Sequence, residues 1–131
     1  MDLLLDTHVL LWWDRNDVLL GEAARAAIAL PENRVFISAA SIWEIAIKIR
    51  KGKLNMSGRP SQLIRANGFL PLPIHEEHSE LAGLLEWAHP DPFDRMLVVQ
   101  ARADALTLVH ADGIIHEYRK VAQLWAGARP P

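Results

Sequence analysis

"LLLDTHVLLWWD", residues 3–14, changes its periodicity at its first carboxylate. Leu3, Leu4 and Leu5 carry no alternating polar residue, so they predict a short strand buried on both faces. From Thr7 the spacing becomes helical: Val9, Leu10, Trp12 and Trp13 suit one wide apolar stripe, closed by Asp14, Arg15, Asn16 and Asp17. Asp6 stands at the junction, either as the cap of that helix or as a ligand at the end of the strand.

The same alternation continues along the chain. An Ala-rich helix is predicted over 21–30, and a turn and second apolar strand over 32–38. The segment 41–54 carries apolar residues at helical spacing, then Lys48, Arg50 and Lys51, with Gly52 as its stop. A Gly- and Pro-containing connection around Pro60 leads through a short helix to a Pro-interrupted strand over 69–74. Helical spacing returns over 75–88. A further helix over 89–104 is announced by Asp91 as N-cap and Pro92 at the first helical position. Residues 105–112 form another strand ending in an acid, and the tail holds a helical turn and a last strand over 121–125. Alternating strands and helices predict an α/β three-layer sandwich, its mostly parallel sheet covered on both faces by helices.

The 131 residues fit a single domain spanning 1–131, and half of them are hydrophobic, enough for a sizeable core. A formal net charge of −2 gives no whole-protein electrostatic case for nucleic acid, so any such function rests on local features. The absence of cysteine excludes disulfides and thiolate metal sites. Nothing resembles a signal peptide and no apolar run is long enough for a bilayer, so a cytoplasmic protein without a membrane partner is expected. Five Trp are more than a small core needs, which leaves some for a partner chain, with Trp12 and Trp13 as candidates.

In parallel α/β sheets ligands bind beyond the carboxyl ends of the strands. Asp6 and Asp112 lie at or just after such ends, and Glu44 and Asp94 are placed in the first turns of helices. Each has an ordinary use. Ser41 with Glu44 spells a capping box, Asp91 is a good N-cap with Asp94 in the first turn behind it, and Asp6 can cap the helix that follows. Capping alone, however, does not require acids, nor does it explain why they recur on one rim. Clustered carboxylates repel and raise one another's pKa, so a fold tolerates them most readily when a cation neutralises them. Oxygen-only donors favour Mg²⁺ or Mn²⁺. Such a cation lowers the pKa of bound water and offsets charge on a phosphate, which suits phosphodiester hydrolysis. No Ser/His or Cys/His arrangement offers a side-chain nucleophile instead.

The segments "LLLDTHVLLWW", "SAASIWEIAIKIRKGKL", "LPLPIHEEHSELAGLL", "HPDPFDRMLVVQA" and "LTLVHAD" together resemble a PIN-domain protein of the VapC toxin type, nearly end to end. The resemblance implies a metal-dependent endoribonuclease, usually homodimeric, inhibited by a cognate antitoxin encoded beside it. By position the family's acids fall on Asp6, Glu44, Asp94 and Asp112, which the resemblance makes the catalytic and metal-binding set, and Asp91 matches a further acid of the subgroup. His110 departs from the pattern: many relatives carry a hydroxyl residue two positions before the last acid. A haloacid-dehalogenase-like phosphotransferase would show a second Asp where His8 stands, and a receiver-like regulator would need a lysine that "LVHAD" lacks. A PIN-fold binding module without catalysis is the remaining alternative, and the intact acid set argues against it.

Three other features have competing readings. Lys48, Arg50, Lys51 and Lys53 form the densest basic run, suited equally to a solvated helix C-terminus and to phosphate contacts. Arg95, beside Asp94, suits either a contact with a substrate phosphate or a pair with Asp91 across one helical turn, and the pair is expected. His75 and His78 lack a partner pair at ligand spacing and are read as surface or supporting groups.

Overall fold

The computed structural model describes residues 1–131. Five strands, β1 (Asp2–Leu5), β2 (Arg34–Ser38), β3 (Leu70–Leu72), β4 (Thr107–His110) and β5 (Gln123–Trp125), form one sheet in the order β3-β2-β1-β4-β5. Every pairing is parallel, with Leu5 opposite Ile37 on one side and Val109 on the other. The helices are α1 (Thr7–Arg15), α2 (Glu22–Ala29), α3 (Ala39–Arg50), α4 (Gln62–Ala66), α5 (Glu76–Leu84), α6 (Pro92–Ala103) and α7 (Gly113–Glu117).

Leu3, Leu4 and Leu5 are wholly buried, as a strand without polar alternation requires. Leu3 and Leu5 join one core with Val9, Leu10, Ala24, Ile28, Ile45 and Leu63, from the four helices α1 to α4. Leu4 points the other way, into a core with Leu97, Val98 and Ala101 of α6 and Ile115 of α7. The connection from β3 to β4 passes through α5 and α6, and α6 packs on this second face. The order therefore reverses between β1 and β4, the switch point where such sheets open a crevice.

Local chemistry sets most of the boundaries. Asp91 caps α6, accepting from the Phe93 and Asp94 N–H groups, with Pro92 behind it. At the end of α3, Gly52 takes φ +72° while Lys53 N–H meets Lys48 O and Gly52 N–H meets Ile49 O, the double bond of a Schellman stop.

Most elements are shorter than the sequence reading, the strands read over 69–74, 105–112 and 121–125 and the helix read over 89–104 among them, and two boundaries bear on the acids. α3 begins at Ala39 with Ser38 as its N-cap, so Ser41 and Glu44 are not a capping box; Ser41 Oγ is buried without a hydrogen-bond partner, and Glu44 lies in the second turn. The strand runs straight into the helix because Ser38 ends β2 and caps α3 at once, accepting from Ala40 N–H while donating to Gln100 Oε1. α5 stops at Leu84 instead of continuing to residue 88, and the segment to Asp91 is a loop held from α6.

Candidate metal centre

Asp6 follows the last residue of β1 and is 6% exposed. One of its oxygens, Oδ1, accepts from Val9 N–H at 2.9 Å and caps α1. Burial pushes its carboxyl up to about 7; the Val9 N–H opposes this, and the charges of Asp94, Glu44 and Asp112 raise it further. Asp6 is thus a cap and a member of an acidic cluster, with Oδ2 left over.

Asp94 sits in the first turn of α6, half-buried. Burial pushes its carboxyl up to about 6, against a hydrogen bond from His89, with Asp91 and Asp112 adding repulsion. His89 Nε2 stands 2.6 Å from Asp94 Oδ2. One donor atom each from His89, Asp91 and Asp94 lie within 4.8 Å of one another, the one such grouping in the chain. Sequence reasoning assigns His89 no role beyond the start of a helix. The signal available is "HPD", a histidine two residues before a cap, which carries little information by itself.

Glu44 comes from the middle of α3. Thr7 donates its hydroxyl to Glu44 Oε1 at 2.5 Å, and Lys48 Nζ stands 3.7 Å from Oε2, one helical turn on. Thr7 is itself buried, so Glu44 is held from the residue next to Asp6. The Lys48 contact removes Lys48 from the freely solvated basic run; Arg50, Lys51 and Lys53 remain exposed with no carboxylate in ion-pair range.

Asp112 follows β4 and caps α7 through Oδ1, which accepts from Ile114 and Ile115 N–H. Its own N–H donates to His110 Nδ1 at 3.1 Å. That leaves the imidazole proton on Nε2, facing Gln123 Oε1 at 2.7 Å, while Gln123 Nε2 donates to Ile115 O and Tyr118 O. His110 is wholly buried, and burial pushes its pKa down, which keeps the ring neutral. The imidazole accepts from the Asp112 backbone as a hydroxyl side chain at that position could.

The four acids therefore meet electrostatically where β1 and β4 end, although their donor atoms do not form one tight group; that group belongs to Asp91, Asp94 and His89. Arg95 does not pair with Asp91: all its hydrogen bonds are to main-chain oxygens. His78 is buried and structural. Its Nδ1 accepts from His75 N–H at the start of α5, and its Nε2 reaches Asp104 at 3.3 Å. Trp12 and Trp13 are half-buried against the first core, and the most exposed tryptophan is Trp43, at 62%.

An all-parallel sheet in the order β3-β2-β1-β4-β5, with carboxylates gathered beyond its carboxyl ends, defines a class of α/β proteins built to hold a ligand at that rim. The PIN domain family profile matches residues 3–121, and the chain belongs to that family. No curated protein sequence matches it. Among solved structures it is similar to VapBC2 from Rickettsia felis bound to a DNA fragment from its promoter, at 13% identity and TM-score 0.67, over 96% of this chain and 99% of that one. It is also similar to FitAcB from Neisseria gonorrhoeae, at 19% identity and TM-score 0.63, over 95% and 97%. VapBC-1 from nontypeable Haemophilus influenzae matches at 20% identity and TM-score 0.57, over 95% and 97%. At these identities the structural likeness speaks for the fold.

Proposed function

We propose that the chain is a VapC-type toxin, an endoribonuclease that hydrolyses RNA phosphodiesters with Mg²⁺ or Mn²⁺ held by Asp6, Glu44, Asp94 and Asp112. The observation that carries the reading is the convergence of these acids at one rim. Glu44, Asp94 and Asp112 all stand close enough to the buried Asp6 to raise its carboxyl, which keeps its proton to about 7. Asp94 beside them keeps its own to about 6. That donor set fits a hard divalent cation, being all oxygen, crowded with negative charge and without a thiolate. When bound, the metal would supply an activated water and offset charge on the phosphate. Asp6 presents an oxygen not used in capping, and His89 turns Asp94 by binding Oδ2. Thr7 fixes Glu44, and His110 fixes the backbone of Asp112.

The expected partners are RNA, a cognate antitoxin and a second copy of the chain, in the cytoplasm. The PIN family match and the VapBC names of two structural neighbours support the toxin assignment. The antitoxin is expected to reach the acidic rim, with a basic side chain standing where the metal would. For the homodimer, Trp43 of α3 and Leu81 and Leu84 of α5 offer exposed apolar helix surface, with Trp43 set edge-on to Phe93 at 5.2 Å. No helix is long and apolar enough to cross a membrane.

Incubating the purified protein with total RNA, with and without Mn²⁺, and mapping new ends tests the activity. Specific ends that appear only with metal are expected. RNA binding without any metal-dependent cleavage would instead establish a binding module. Sedimentation at tens of micromolar tests the dimer, and a monomer alone would refute it.

A further inference from the structure

Arg95 follows Asp94 in α6, and its guanidinium turns back onto the end of α5 and the loop between the two helices. Nε donates to Ala82 O at 2.9 Å, Nη1 to Trp87 O at 2.6 Å and His89 O at 3.1 Å, and Nη2 to Leu85 O at 2.6 Å and Gly83 O at 3.5 Å. A guanidinium has five N–H donors, so the set is used up on five main-chain oxygens. No carboxylate lies in ion-pair range of it. Ala82 and Gly83 belong to the last turn of α5, where carbonyls lack partners within the helix. Leu85, Trp87 and His89 belong to the loop, whose own backbone contributes one hydrogen bond, Trp87 N–H to Leu85 O. Arg95 therefore supplies most of the polar contacts that shape residues 85–89.

That loop delivers His89 to Asp94. His89 O is held by Arg95 while His89 Nε2 meets Asp94 Oδ2, and the Trp87 ring stands edge-on to the His89 ring at 4.9 Å. Two residues on, Asp91 caps the helix that carries both Asp94 and Arg95. The path from Arg95 through the loop to His89 and back to Asp94 is closed.

We infer that Arg95 is a positioning residue, which fixes the α5–α6 loop so that His89 orients the Asp94 carboxylate and leaves Oδ1 free toward a metal, and that its charge is not a contact for RNA phosphate. The inference rests on the nuclease reading for its metal part only. A lysine keeps the charge but concentrates its donors on one nitrogen, which cannot span five carbonyls.

Arg95→Lys tests the loop and metal parts by hydrogen exchange and Mn²⁺ calorimetry, and Arg95→Gln tests the charge by RNA binding in EDTA. In Arg95→Lys the peptide covering residues 85–91 should gain more exchange than the peptides of β1 and β4 gain from the lowered urea midpoint, and Mn²⁺ affinity should fall about tenfold, the usual effect of removing a group that orients a ligand. With RNA, kcat should fall while KM holds. Arg95→Gln, which removes the charge, should keep the wild-type salt dependence of RNA binding in EDTA. His89→Gln completes the set: it should weaken Mn²⁺ similarly while leaving loop exchange slow, since the Arg95 bonds to carbonyls persist. Wild-type loop exchange and Mn²⁺ affinity in Arg95→Lys would overturn the inference, as would a salt slope reduced by about 0.7 in Arg95→Gln, which marks one phosphate fewer engaged. A wild-type protein that binds no Mn²⁺ overturns the nuclease reading, and the exchange measurement then decides the loop-holding role by itself.

Discussion

Thr7 Oγ1 and Glu44 Oε1, 37 residues apart in sequence, share a 2.5 Å hydrogen bond between the first turn of α1 and the middle of α3. The hydroxyl is buried and the acceptor is a carboxylate, so the bond is of the stronger, charge-assisted kind. Thr7→Val keeps the shape and deletes the donor. It should cost about 1.5–3 kcal/mol of stability, readable as a lowered urea midpoint, and weaken the response to Mn²⁺ as Glu44 loses its restraint. Thr7→Ser should restore most of both, because only the methyl is missing. A Val variant with an unchanged Mn²⁺ response would show that Glu44 needs no such restraint.

His110, Gln123 and the Asp112 backbone form a chain whose proton placement is settled by its ends. Gln123→Leu would leave the buried His110 Nε2 proton without an acceptor, at a cost of about 1–3 kcal/mol. Thermal melts should show that loss. His110→Thr together with Gln123→Leu should recover part of it, since a hydroxyl then accepts the Asp112 N–H and the imidazole proton is gone. A double variant no more stable than Gln123→Leu alone would refute the idea that the histidine stands in for a hydroxyl.

The basic run divides in two. Lys48 belongs to Glu44, while Lys51 and Lys53 are exposed and lack carboxylate partners. If they touch an RNA strand, replacing both by Ala should reduce the log–log salt slope of binding by roughly 0.7 for each phosphate no longer engaged. Binding titrations between low and moderate salt read this directly. An unchanged slope would make both residues solvent-facing groups just past the end of α3.

What the sequence reveals, and what it hides, follows the range of each interaction. Leu3–Leu5 as a doubly buried strand, Asp91–Pro92 as a helix start and Gly52 as a helix stop depend on residues within a few positions, and each stands in the structure as expected. Ser41 has the spacing of a capping box, yet Ser38 is the cap, because Gln100, 62 residues away, accepts its hydroxyl proton while the oxygen caps α3. Arg95 has Asp91 at pairing distance in sequence but binds carbonyls instead; side chains announce themselves in sequence and main-chain oxygens do not. Its five partners have no residue-type signature at all. His89 is hidden for the same reason, its place at Asp94 being set by a loop whose shape depends on Arg95. The recognition of Asp6, Glu44, Asp94 and Asp112 as one set comes from resemblance across the chain, and their electrostatic proximity at the rim is what the fold adds.

The raised carboxyls set the pH response of the metal-free protein. For Asp6 the ordinary value is 3.8 and the folded one about 7. Between these values the folded state binds the proton more tightly than the unfolded chain, so stability must fall as pH rises through that window. Below pH 3.8 the penalty is absent, and above about 7 it is complete. At 1.36 kcal/mol per pH unit the Asp6 contribution is on the order of 4 kcal/mol. Asp94 adds a smaller, coupled share that is complete by about 6. Urea unfolding in EDTA at pH 5, 6, 7 and 8 should therefore show a decline that levels off near neutrality. Added Mn²⁺ should stabilise most at the high end, where the carboxylates are deprotonated to receive it.

Substituting the acids separates capping from ligation at the same residues. Asparagine caps nearly as well as aspartate, so Asp6→Asn should keep its contact with Val9 N–H. It also removes a buried charge that is costly above neutrality. The variant should be as stable as the wild type in EDTA at pH 7, or more so, and its stability should depend less on pH between 5 and 7. Asp94→Asn should behave alike, with part of the gain offset because its amide replaces one partner of His89. Both variants should lose the Mn²⁺-induced rise in Tm together with metal-dependent RNA cleavage. A pure cap predicts the opposite, since neither metal binding nor cleavage would then depend on the charge. Melts with EDTA and with Mn²⁺, run beside a cleavage assay, distinguish the two: a retained Mn²⁺ shift and retained cleavage in both variants would refute the ligand assignment.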